Sequence, residues 1–140
     1  MTFNYVVLRY VHDTAVAESL NIGIVLVSEE SGYINCRLEY DTDRLAATFR
    51  GFDARSHQEA MKTLERLIHN MGAEVKDTSI QLTLLRDAAF SMRLIWPDAG
   101  LNYQFSTSKA GISEDLDATL TSLFNRFVTD QSPERVEARR

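Results

Sequence analysis

Two runs rich in branched apolar residues, Tyr5-Val-Val-Leu-Arg-Tyr-Val11 and Leu20-Asn-Ile-Gly-Ile-Val-Leu-Val27, follow one another across a short polar link. Residues branched at Cβ lose rotamer freedom in a helix and pack well on a pleated surface, so such runs read as strands buried on both faces. Two in succession read as a pair, and any fold for this chain must bury that pair inside a sheet. Alternation assigns Phe3, Tyr5, Val7, Arg9 and Val11 to one face of the first strand, and Val6, Leu8 and Tyr10 to the other. In the second strand Leu20, Ile22, Ile24 and Leu26 are expected to share a core face, opposite Asn21, Gly23, Val25 and Val27.

Beyond this pair, the polar segment at 28–32 with Gly32 predicts a hairpin loop, and residues 33–40 predict a third strand. Its Ile34, Cys36, Leu38 and Tyr40 face in, while Asn35, Arg37 and Glu39 face water, as one side of an antiparallel sheet can. Asp41 and Asp43 are caps for a short helix over 44–50, and Asp53 caps a longer one from Ala54 to about Met71, where Gly72 should stop it. Ile80, Leu82 and Leu84 alternate as in a strand, while Leu84, Leu85, Ala88, Ala89, Met92 and Ile95 fit a helical stripe; of these two readings a helix over about 81–94, broken at Trp96-Pro97, is favoured, and residues 101–105 form a short strand returning to the sheet. Ser113 caps a last helix carrying Leu116, Leu120, Leu123, Phe124 and Phe127 on one face. The expected fold is therefore α+β: an antiparallel sheet of three or four strands with helices packed on one face. Residues 1–130 are expected to form one domain, and 131–140 a charged, disordered tail.

A chain of 140 residues can close a single core without staples. No apolar run reaches the ~18 residues of a membrane span, and no secretory leader is recognised at the start. The single cysteine, Cys36, forms no internal disulfide, which suits a cytoplasmic protein. A net charge of −5, with basic residues scattered along the chain, argues against general nucleic-acid binding.

Few residues point to catalysis, and no cofactor is expected. Cys36 faces inward, where a thiol is inert packing. His57 and His69 lie about 18 Å apart on one helix at the normal rise per residue, too far to share a metal. His12 beside Asp13 reads as a solvated loop more readily than as an acid–base pair. The six glycines stand alone, so none builds a phosphate cradle. Glu39, Asp41 and Asp43 gather at the end of the third strand, with Glu18 expected nearby, and carboxylates at a strand end are used in two-metal phosphodiester chemistry. Capping is the simpler task for the two aspartates.

Arg9 is the exception inside its apolar run. A buried, unpaired guanidinium costs several kcal/mol, so it is expected to meet Glu18 or Asn21, with Gly23 giving it room to lie flat. Its other reading is recognition of a carboxylate or phosphate, which its planar fork suits.

Tyr5-Val-Val-Leu-Arg9 followed by Glu18-x-x-Asn21-Ile-Gly-Ile-Val-Leu26 resembles the opening of a bacterial family called domain of unknown function 3037. Asp43-Arg44-Leu45 before Gly51-Phe-Asp53, and Gln104 followed by Gly111-Ile-Ser-x-Asp115, resemble its middle and close. The chain departs from that pattern at Pro97-Asp98-Ala99-Gly100, where relatives carry a Pro-Arg-Ser-type turn; Arg93 is the nearest substitute for the arginine. The resemblance implies no activity. It implies company with kinases resembling the HipA toxin type, and hence a non-catalytic interaction or regulatory protein with Arg9, Glu18, Asn21 and Gly23 as its binding residues. The alternative is a metal-dependent phosphodiesterase or nuclease acting through Glu39, Asp41 and Asp43. A homodimer through an open sheet edge is a third reading.

Overall fold

A computed structural model describes residues 1–13, 18–77 and 79–130, with side-chain detail up to residue 75 and again from residue 83. The expected tail over 131–140 and most of the first loop lie outside the described residues. The two branched runs become β1 (Thr2–Asp13) and β2 (Glu18–Ser28), antiparallel partners from Asn4↔Val27 to Asp13↔Glu18. β3 (Tyr33–Leu38) pairs with the far side of β2. On the other side of β1 lie β4 (Tyr103–Phe105), against Leu8 to Tyr10, and β5 (Lys109–Ile112), against Thr2 to Tyr5. The fold is α+β with an antiparallel sheet, and the sheet has five strands where three or four were expected. β5 has a sequence, Lys-Ala-Gly-Ile, with little strand propensity; pairing to a strong central strand makes it one.

One irregularity rearranges the core. Leu8 pairs with Gly23 but Arg9 pairs with Asn21, so Ile22 is an extra residue, a β-bulge in β2. The bulge reverses the side-chain alternation at that point. Leu20 and Ile22 therefore join Val25 and Val27 in one core, with Val6, Leu8 and Tyr10, while Ile24 and Leu26 join Phe3, Tyr5 and Val7 in a second. The expected single face of Leu20, Ile22, Ile24 and Leu26 is thus split in two, each half buried.

Helices cover both sides. The first core is closed by α1 (Asp43–Thr48), α2 (Ala54–Asp77), a 3-10 segment (Ser79–Arg86) and α3 (Ala88–Ile95). The second is closed by α4 (Leu116–Phe124) and the π-helical turn that continues it (Asn125–Thr129). The helices thus lie on two faces rather than one. On the polar face of β3, Arg37 is exposed as expected but also touches α4: it lies 5.1 Å over the Phe124 ring and donates to Thr121 Oγ1 at 3.0 Å. α2 presents Met61, Leu64, Ile68, Met71 and Val75, all buried, at helical spacing. It runs through Gly72, which faces β3 at a distance where an added Cβ would make ordinary contact, 3.5 Å from Ile34 Cγ2. The helix predicted over 81–94 is divided by Asp87, whose carboxylate accepts from Ala89 N at 3.0 Å and starts α3. Capping by Asp53 of α2 is as expected, while α4 is capped by Asp115 rather than Ser113.

Candidate functional site

β1 is the central strand, so its side chains decide what lies in the middle of each sheet face. On the α4 side the register sets Gln104, Arg9 and Asn21 side by side across β4, β1 and β2. Two residues further along β1, toward its start, Val7 is buried, and then Tyr5 stands opposite Lys109. α4 and the π-helical turn pack over β2 and β3. They leave Arg9, Gln104 and Lys109 exposed on the β1, β4 and β5 half. Arg126 borders that half through Phe127, whose ring it covers at 5.2 Å and which itself lies 6.1 Å from the Tyr5 ring. Among the described residues none of Arg9, Lys109 and Arg126 forms an ion pair. A protein of net charge −5 thus carries three unneutralised cations along an uncovered strip of its sheet.

The internal clamp expected of Arg9 is absent. The register sets Glu18 opposite Asp13, and Arg9 is exposed rather than enclosed with a counter-charge. Asn21 is buried and instead donates from Nδ2 to Phe127 O at 3.1 Å, holding the π-helical turn. Gly23 makes room for Leu38 and Leu8 rather than for a guanidinium: an added Cβ would lie 2.7 Å from Leu38 Cδ2.

A different arginine makes the clamp. Arg44 donates from Nη1 to Val128 O at 2.6 Å and from Nη2 to Asn21 O at 3.3 Å, and pairs with Glu39 at 3.5 Å. It joins α1, β2, the end of β3 and the π-helical turn, satisfying a helix-end carbonyl that lacks an intrahelical partner. The Asp43-Arg44-Leu45 triplet carried a signal for it, but nothing local to that triplet says which elements it would join.

The carboxylate reading fails to assemble. Glu39 is taken by Arg44, Asp41 accepts the Asp43 backbone N–H at 2.9 Å, and both aspartates are exposed. Among the described residues no group of three or more His, Cys, Asp or Glu side chains is placed to hold a metal ion. Cys36 packs against the core, and burial pushes its thiol up to about 12, away from thiolate chemistry.

Histidines were undervalued by sequence reasoning, which weighed them as metal ligands or as an acid–base pair but not as structural hydrogen-bonding groups. His57 is buried, donates from Nε2 to Glu39 O at 3.0 Å, and accepts at Nδ1 from Tyr103 OH at 2.9 Å. The carbonyl can only accept, which fixes this tautomer. His12 repeats the arrangement, with Tyr10 OH at Nδ1 (2.8 Å) and Arg50 O at Nε2 (2.8 Å), its ring stacked on Phe49. Both therefore pin loop carbonyls beside α1 to the sheet.

Burial holds His57 below the ordinary imidazole pKa, outweighing the opposing bond to Glu39 O. The unfolded chain then binds the extra proton, so this contribution to stability is full above the unfolded value near 6.5 and is lost as pH falls from there toward the folded pKa. The urea midpoint is expected to drop between about pH 7.5 and about pH 5, and His57→Gln to flatten that slope. An unchanged slope in the variant would assign the pH response to other groups.

A family of proteins of unknown function, DUF3037, matches residues 5–128. No curated protein and no solved structure matches the chain.

Proposed function

The chain belongs to the DUF3037 family, and from that premise we propose that it is a non-catalytic interaction or regulatory protein of a bacterial two-component module. Its docking surface is the strip of sheet that α4 leaves open, centred on Arg9 with Gln104, Lys109 and Arg126 around it. The partner we propose to test first is a HipA-like kinase encoded beside it, in the cytoplasm.

One observation carries the reading: an arginine on the central strand, exposed and without an ion pair among the described residues. A fork of donors on a rigid strand is suited to bidentate contact with a carboxylate, and its flanking cations favour an acidic partner surface. The geometry offers no comparable support for hydrolysis, because the carboxylates that would perform it are dispersed.

Co-expression of the chain with the neighbouring kinase, followed by calorimetric titration, tests this directly. Arg9→Glu is expected to weaken the complex about tenfold or more, with the thermal midpoint little changed because the side chain is exposed. No complex, together with no change in kinase phosphorylation, would overturn the kinase assignment. An unaffected affinity in Arg9→Glu would overturn the docking surface.

A further inference from the structure

We infer that the outer edge of β3 is a docking groove for an extended basic segment of a polypeptide, added to the sheet as a further strand. This site lies at the edge of the sheet, away from the Arg9 strip, and does not depend on the reading given to that strip. Among the described residues no strand pairs with β3 on its far side. The direction of its backbone groups follows from two bonds. Glu39 N donates inward to Ile22 O at 2.8 Å, whereas Cys36 N, of opposite parity, is bonded only to the side-chain Oδ1 of its neighbour Asn35, at 2.8 Å. Cys36, and by the same alternation Ile34, turn their N–H and C=O groups outward. A side-chain oxygen thus stands where a neighbouring strand's carbonyl would be, a common way of guarding an exposed edge.

The edge is not a flat rim. α2 packs on one face of β3 and α4 on the other. Between them, at the start of β3, lies a groove of about 840 Å³ whose floor is Tyr33, Ile34 and Asn35, continued by Ser31 and Gly32. The six residues of β3 span about 20 Å, so an added strand of similar length would begin in the groove and continue along the open edge beyond it. On the α2 wall the groove presents Gly72, Ala73 and His69. On the α4 wall stand Glu114, Asp115 and Asp117. The two walls therefore differ: one is small and largely apolar, the other acidic.

That difference selects the occupant. Alternate side chains of an added strand face opposite walls, so a segment alternating basic and small apolar residues meets both. A second copy of this chain, paired β3 to β3, would bring another acidic wall rather than a basic one, and so lacks the charge complement that a basic segment supplies.

The test uses the capped peptide acetyl-Arg-Val-Lys-Val-Arg-Val-amide, with its Glu-for-Arg/Lys counterpart as control, titrated into the whole chain and followed by amide chemical shifts. Saturable shifts at Ile34 to Leu38 are expected with the basic peptide and not with the acidic one. Asn35→Ala, which frees the Cys36 N–H, is expected to tighten binding about threefold, and Glu114→Lys to weaken it about threefold or more. No saturation by about 1 mM peptide, equal binding of the acidic peptide, or shifts elsewhere would overturn the proposal. So would sedimentation of the free chain as a dimer with the β3 amides protected, which would make a second copy the occupant.

Discussion

Arg44→Met is expected to lower the free energy of unfolding by about 2–3 kcal/mol, read as a lower urea midpoint at unchanged m-value. Methionine keeps most of the stem and removes the guanidinium, so the loss isolates the polar contacts. Three acceptors lose a donor together: Val128 O, Asn21 O and the Glu39 carboxylate. The pair with Glu39 is mostly enclosed, with side-chain exposures of 26% and 19%, so water restores only part of what is removed. The effect is kept below that of a fully buried pair for two reasons: this residual exposure, and an Arg44 Nε that is buried without a partner and already costs stability. Because the bonds converge on the π-helical turn, amide exchange at Phe127 and Val128 should accelerate more than exchange in β1. A double-mutant cycle with Glu39→Gln should show coupling. Unchanged stability would mean that Arg44 decorates the junction rather than holding it.

What was legible in the sequence was what is local. The branched runs gave β1 and β2, the i, i+3, i+4 spacing of Met61, Leu64 and Ile68 gave α2, and Leu116, Leu120 and Phe124 gave α4. What escaped depended on tertiary pairing. Strict alternation in 20–27 ran through the bulge at Ile22, because one residue slipped out of register moves every later side chain to the other face while the composition looks the same. Gly72 resembled a helix stop, yet α2 continues through it to Asp77. Arg37 was legible as polar and outward-facing, but its contact with α4 was not, since a cation over a ring depends on where Phe124 comes to lie.

The candidate site shows the same division. Arg9 stood out as the one charge in an apolar strand, and the structure retains that oddity while changing its sense. The requirement for a counter-charge assumed burial, and burial at Arg9 depends on how far α4 reaches across the sheet. Asn21 and Gly23, grouped with Arg9 by their positions in the hairpin, serve the packing of the chain instead. The clamp itself came from Arg44, 23 residues beyond the Asn21 whose carbonyl it binds.

Gly23→Val is expected to cost about 3 kcal/mol, and Gly23→Ala about 1–2 kcal/mol. Gly23 pairs with Leu8 on one side and Leu38 on the other, at the step where the bulge draws the three strands out of even register. An added Cβ would meet Leu38 Cδ2 at 2.7 Å, Arg37 O at 3.1 Å and Leu8 Cβ at 3.6 Å. The Leu38 methyl is the end of a rotatable side chain and can turn away. The Arg37 carbonyl belongs to a paired strand and cannot, and the two further methyls of valine must fit where Leu8 is fully buried. Replacing a strand glycine by a branched residue restrains the unfolded chain and recovers about 0.5–1 kcal/mol, less than the overlap costs. Leu38→Ala in the Gly23→Ala background should recover the part of the loss due to the leucine methyl and leave the part due to Arg37 O. Full recovery would show that the backbone there yields, and an undiminished urea midpoint in Gly23→Val would show that β3 can separate from β2 at this step without loss.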